Sequence, residues 1–185
     1  MNYWMVAIAP ENWDATRRTG VTAQGFTTKQ RRKVERMEPG DRLLFYLKDK
    51  RVFAATATVR SKMYEERARI WTGSTPNEVF PHRVQITSDA VMPPGRELDA
   101  GLIAPRMEYL KRWPMEMWPM GLQGELHILP RKDLELIEGE MLRILRPGYL
   151  PPLTDEARPR RQYRRPRPQA APAPDGSGTR PNPVS

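Results

Sequence analysis

A small, partly closed mixed β-barrel with short helices packed at its ends, an α+β fold followed by a disordered tail, is the fold class predicted by three observations. Strand-length apolar runs outnumber helical ones. Pro, Gly and Asp turn signals separate those runs. Composition then changes near the end of the chain, where prolines and arginines replace core-forming residues, as in Arg158-Pro159-Arg160-Arg161 and Arg164-Arg165-Pro166-Arg167-Pro168. Such a segment buries too little apolar surface to offset its ordering entropy. The expected organisation of the 185 residues is one domain over 1–146 and a disordered Pro/Arg-rich tail over 147–185.

Residues 3–9 read as a buried strand, and Pro10 opens a short helix through Asn12, Trp13 and Ala15 that Gly20 can close. Thr27 followed by Gln30 is a capping-box pattern, which predicts a helix to about Met37, stopped by Pro39-Gly40, with Val34 and Met37 buried. Residues 42–47 and 51–60 flank the short connection Lys48-Asp49-Lys50 and read as a hairpin. A further strand is expected over 79–87, a short helix over 105–110, a brief strand over 126–129 and a helix over 130–145. Pro114 and Pro119 exclude regular helix between Trp113 and Met120.

Composition narrows the function. A formal net charge of +9 and a pI near 10.2 suit a partner of nucleic acid, or of an anionic membrane surface. Seven arginines against three acids give residues 151–185 +4 of that total and leave +5 for the rest, so both parts are basic. The absence of cysteine excludes disulfide scaffolds, thiolate zinc sites and cysteine nucleophiles, and it fits a reducing cytoplasm. Apolar runs fall far short of the ~20 residues that span a bilayer, so a soluble cytoplasmic protein without membrane contact is expected.

Several constellations bear on chemistry. Recognition of an unpaired or flipped base requires aromatic faces; Trp4 and Phe45 lie inside apolar strands and read as core, whereas Trp13, Trp71 and Trp118 fit either a pocket or the core. In Gln24-Gly25-Phe26-Thr27-Thr28-Lys29, Gly25 permits close backbone approach, the threonines offer hydroxyls and Lys29 a charge at a helix start. The same residues also suit a capped surface helix. Lys29, Arg31, Arg32, Lys33 and Arg36 make one helix basic, suited to phosphate contact or simply solvated. The Met- and Trp-rich segment 113–122 could close over a flat base or plug one end of the barrel. His82 and His127 adjoin no plausible nucleophile and read as structural, so no catalytic residue is assigned.

Taken in order, the opening Tyr3-Trp4 strand with Pro10 and Asn12-Trp13, then Gly25-Phe26, then Pro39-Gly40-Asp41-Arg42 leading to Phe45-Tyr46, resemble the EVE domain family, a branch of the PUA-like fold. The strand with Phe53, Tyr64 before two acids, and Pro81-His82-Arg83-Val84 extend the resemblance. It implies a PUA-like mixed barrel related in fold to YTH and SRA modified-base readers, with residues 24–29 helping to wall a base pocket. Where family members often read Lys-Ser-Glu-Pro, this chain has Ala7-Ile8-Ala9-Pro10, so it either reads a different base or draws on other donors such as Asn12, Thr28 and Lys29.

The combined reading is a nucleic-acid-binding module, not an enzyme, that recognises a modified base of DNA or RNA as a monomer without cofactor or metal. Its expected base pocket is Trp13, Gly25, Phe26, Thr28, Lys29, Tyr46, Trp71 and Trp118, and its phosphate contacts are Arg31, Arg32 and Lys33. The alternatives are a small nucleic-acid-processing enzyme and an interaction protein acting through its tail. Removing residues 151–185 is expected to leave the thermal midpoint unchanged, because that segment contributes little burial; a drop of more than a few degrees in a calorimetric melt would refute this.

Overall fold

The computed structural model describes residues 1–75 and 77–149; the tail from residue 150 onward, read above as disordered, lies outside them. The elements in chain order are β1 (Tyr3–Ile8), α1 (Pro10–Arg18), β2 (Ala23–Phe26), a 3-10 turn (Thr28–Gln30) running into α2 (Arg31–Val34), β3 (Arg42–Leu47) and β4 (Val52–Val59). They continue with β5 (Tyr64–Glu65), β6 (His82–Val91), β7 (Leu98–Asp99), α3 (Ala100–Ile103), α4 (Trp118–Gly121), β8 (Leu126–Ile128) and α5 (Arg131–Leu145).

The strands form one mixed sheet in the order β2-β6-β4-β3-β1-β8, with β5 added on β6 and β7 on β4. β1 and β3 run parallel, Tyr3 beside Arg42 through Ile8 beside Leu47, and the remaining pairs are antiparallel. A parallel neighbour needs a crossover rather than a hairpin, and α1, β2 and α2 supply it. Irregularities at Phe45/Tyr46 between β3 and β4, and at Thr56/Ala57 between β4 and β6, bend the ladder. Each adds local twist, and the sheet curls into a half-barrel.

The neighbouring strands β1 and β3 are buried on both faces, so their period of two divides the core in half. Trp4, Val6, Ile8, Leu43, Phe45 and Leu47 point to one side, where Trp13 of α1, Phe26 of β2, and Val34 and Met37 complete a cluster. Met5, Ala7, Leu44 and Tyr46 point to the other, against Ala100 and Ile103 of α3 and Leu134, Ile137 and Met141 of α5. The last three recur at helical spacing, which is what gives α5 its apolar stripe.

The start of β1 is fixed by Asp41, which is 1% exposed. Its carboxylate accepts from Asn2 N (2.7 Å), Trp4 Nε1 (3.0 Å), Glu38 N (3.2 Å) and Asn2 Nδ2 (3.3 Å). Gly40, at φ +95°, turns the chain into this position, and Arg42 N donates to Asn2 O at 2.9 Å. Burial alone would raise the Asp41 pKa; the hydrogen bonds from Trp4, Asn2 and Glu38 outweigh it and hold the carboxyl below its ordinary 3.8.

Several sequence expectations are corrected. The helix expected from Thr27 to Met37 is a 3-10 turn followed by a single α-helical turn, although Val34 and Met37 are buried as foreseen. The capping box does not form, because the Thr27 hydroxyl donates instead to Glu125 Oε2 at 2.9 Å. The strand placed over 79–87 begins only at His82 and runs to Val91, since Pro81 has no N–H to give a ladder. The helix placed over 105–110 lies earlier, at Ala100–Ile103, where Asp99 caps it by accepting from Gly101 N at 2.7 Å, and a 3-10 turn follows at Ala104–Arg106. Between 113 and 121, each proline starts a short turn of helix rather than excluding one: Met115–Met117 after Pro114, and α4 around Pro119.

Because the folded Asp41 carboxyl titrates below 3.8, its contribution to stability is fully present above that value and is lost as pH falls through the lower folded one. Asp41→Ala is expected to lower stability in neutral urea melts by about 1–3 kcal/mol for each buried donor left unpaired. The same variant should lose part of the wild-type dependence of stability on pH below about pH 4. Unchanged melts at neutral pH would show that the carboxylate does not anchor β1.

Candidate functional site

A cavity of about 280 Å³ lies where the end of β1, the start of α1, β2, the segment 72–80 and Glu125 meet. Ile8, Ala9, Phe26 and Phe80 give it apolar walls, and Asn12, Gln24, Thr27, Glu78 and Glu125 give it polar ones, with Lys48 also lining it. Its size sits at the small end of ligand pockets, about 300–1,000 Å³, and suits a single ring system.

The wall formed by residues 66–75 and 77–80 is irregular chain held at three places. Asn12 grips it from α1: Nδ2 donates to Thr72 O and Oδ1 accepts from Thr72 N, both at 2.8 Å. Trp71 is buried, and its Nε1 donates to Thr16 Oγ1 at 2.8 Å. Arg83 of β6, 1% exposed, lies 5.0 Å over the Trp71 ring, pairs with Glu66 at 2.7 Å and donates to the carbonyls of Ala68 and Phe80. A buried guanidinium costs far less when paired and hydrogen-bonded, and here those bonds hold the wall to the sheet.

Gly25 belongs to this packing. A Cβ at that position would lie 2.4 Å from Cζ3 of Trp71, so the indole ring rests directly on the β2 backbone. Beside it, Gln24 Nε2 donates to Gly25 O at 2.7 Å, and Gln24 Oε1 receives the Thr16 hydroxyl at 3.3 Å. Glu125, also in the lining, is fixed twice, its backbone oxygen accepting from Ala7 N at 2.9 Å and its Oε2 from Thr27. Glu78 Oε2 accepts from Ser74 N at 2.7 Å, and its Oε1 lies 3.9 Å from Lys29 Nζ.

Among the aromatic and polar positions expected to form a pocket, Gly25 and Phe26 line this cavity. Trp71 stands behind Gly25 and Phe80, with its ring 6.2 Å from that of Phe80. Trp13 packs on Phe45 at 5.0 Å inside the core. Lys29, whose side chain is 78% exposed, reaches the rim through Glu78, and Thr28 is exposed beside it. Tyr46 and Trp118 are not brought to the cavity: Tyr46 points to the other face of the sheet, 5.4 Å from Phe53, and Trp118 packs against the same cluster. Alternation along β3 is the cause, since Phe45 and Tyr46 must face opposite ways.

The basic residues are spread unevenly. Arg31 pairs with Glu35 at 2.8 Å, Lys33 Nζ donates to Leu126 O at 2.9 Å, and Arg32 is exposed. His82 is buried beside Glu65, and the Nδ1 of His127 lies 2.9 Å from the Tyr109 hydroxyl. Burial, with the Lys33 charge, holds the His127 pKa below its ordinary 6.5. Phe80, Glu78 and Glu125 are site residues that the sequence reading misses; the only signal is Phe80 beside the turn-forming Pro81, and nothing local marks Glu125.

Comparison with known proteins matches the EVE domain family model over residues 2–138. A UPF0310 protein of Pyrococcus abyssi is 25% identical over 147 residues, which cover 75% of this chain and 98% of that protein. Among solved structures, the YTH domain-containing protein mmi1, in a complex with RNA, superposes with a TM-score of 0.56 at 12% identity, covering 78% of this chain and 87% of that one. The YTH domain of a Zygosaccharomyces rouxii protein in complex with N6-methyladenosine RNA gives 0.55 at 15% identity, covering 76% and 86%. At these identities the likeness is one of fold.

Gly25→Ala is expected to destabilise the protein by about 1–3 kcal/mol, the usual cost of overpacking, and to alter the tryptophan fluorescence. Gly139→Ala serves as the control. That glycine is exposed within α5, and a Cβ there would meet nothing within 4 Å, so alanine should stabilise by about 0.5–1 kcal/mol. Equal melts for the two variants would mean that Trp71 does not rest on β2.

Proposed function

Since this chain belongs to the EVE domain family, we propose that it is a nucleic-acid-binding module that takes a single base, modified in its DNA or RNA target, into the cavity beside Phe26. The observation that carries this reading is a cavity sized for a single base, with Phe26 and Phe80 in its lining, set next to the exposed side chains of Lys29 and Lys48. The complexes of the YTH relatives with RNA, one of them carrying N6-methyladenosine, support it by likeness of fold.

In this reading the base leaves its stack and enters between apolar walls, where an aromatic contact contributes about 1–3 kcal/mol. Gly25 and Phe26 touch it directly, while Trp71, Trp13 and Arg83 keep the walls in place. Thr28 and Lys29 stand at the rim with Lys48, and Arg31, Arg32 and Lys33 meet phosphates alongside. Phosphate contacts set position and base contacts set identity. The protein acts as a monomer in the cytoplasm, without a cofactor; no helix among the described residues is long and apolar enough to cross a membrane.

Phe26→Ala is expected to weaken binding of a strand carrying the recognised base by about 1–3 kcal/mol and to leave affinity for an abasic strand unchanged. Arg32→Ala should weaken both equally and reduce the slope of log affinity against log salt by about 0.7–0.9. Anisotropy titrations over a salt series measure both. Folded Phe26 variants that bind every strand as wild type does would overturn the base-pocket reading and turn attention to the tail.

A further inference from the structure

Resting on that reading, we infer that the cavity selects an amino-bearing nucleobase, cytosine, adenine or guanine in type, over thymine or uracil, and that Glu125 is the residue that reads it. The argument begins from the sign of the cavity. In a chain of formal charge +9, its lining carries three carboxylates, Glu11, Glu78 and Glu125, against one ammonium, Lys48. A phosphate is therefore unwelcome inside, and the basic surface that would hold the backbone lies outside.

A carboxylate accepts hydrogen bonds and cannot donate them. Glu125 is the most constrained of the three, with its backbone tied to Ala7 N and its Oε2 to the Thr27 hydroxyl. Its Oε1 accepts no hydrogen bond from the described residues, is not among the buried atoms left without a partner, and belongs to a residue that lines the same cavity as Phe26. A base that entered the cavity would strip water from this oxygen, which is costly unless the base brings a donor to it. An exocyclic amine supplies that donor, and singly methylated amines keep one N–H. Thymine and uracil offer only the imide N3–H, set between two carbonyl oxygens whose like-signed partial charges repel a carboxylate. Carboxylate acceptance from an amino group is the pairing by which acidic side chains read cytosine.

The test uses the full chain and short strands in which every nucleotide is abasic except one central position, which carries adenine, cytosine, guanine, thymine or no base, with methylated adenine and cytosine added. Wild type is expected to bind the amino-bearing strands about tenfold more tightly than the thymine strand. Glu125→Gln, which keeps the shape and the Thr27 bond but presents an NH2, should abolish that preference; Glu78→Gln, a second variant in the lining, should reduce it. A wild type that binds all bases alike, yet better than the abasic strand, overturns this inference and leaves the base-pocket reading intact. Retention of the preference in Glu125→Gln overturns the assignment to Glu125. Equal binding of the abasic strand and of every base, plain or methylated, overturns the base-pocket reading itself.

Discussion

One buried carboxylate sets the arrangement on which everything else depends. Asp41 gathers donors from Asn2, Trp4 and Glu38, and so seats the first strand beside the third in parallel register. A parallel pair this short is not held by a hairpin, and without a local anchor it could slip by a residue. Such a slip would exchange Trp4, Val6 and Ile8 for Met5 and Ala7 and put both clusters on the wrong side of the sheet. The charge remains buried because neutral donors satisfy it from several directions, which also depresses its pKa.

The cavity follows from that seating. It opens where β1 ends and α1 begins, and Pro10 makes the change of direction abrupt. Its outer wall is irregular chain, which ordinarily would be loose, yet Asn12, Trp71 and Arg83 tie it to a helix and to the longest strand. Walls fixed before a ligand arrives lower the ordering cost of binding. The side-chain chemistry divides unevenly, with three carboxylates against the single ammonium of Lys48 in the lining and a further cation, Lys29, at the rim beside Glu78.

The pocket is partly legible in the sequence. Gly25-Phe26 stands out there, and both residues line the cavity; the glycine also serves a need the sequence does not reveal, since its missing Cβ makes room for the Trp71 ring. Trp71 and Trp13 are open between pocket and core in the sequence, and packing places them behind the walls. Tyr46 ends an aromatic strand, which alone suggests the pocket. Its place on the α5 side comes from a register that only pairing with β1 and β4 sets. Glu125 lies 98 residues from Thr27, and no local pattern connects them.

What the sequence determined alone was local: the opening strand, the Pro10 helix, the Gly40 turn, the hairpin of β3 and β4, the last helix and the break in composition after the domain. These depend on fixed φ, missing donors and hydrophobic period, all of which act within a few residues. The order of strands, the division of aromatics between two clusters, the short β2, and the meeting of Phe26, Phe80 and Glu125 around one cavity were decided by the tertiary structure. They arise from contacts between distant segments, whose closure depends on the whole sheet being formed, and a carboxylate in a polar turn has no neighbour in sequence to reveal the cavity it will line.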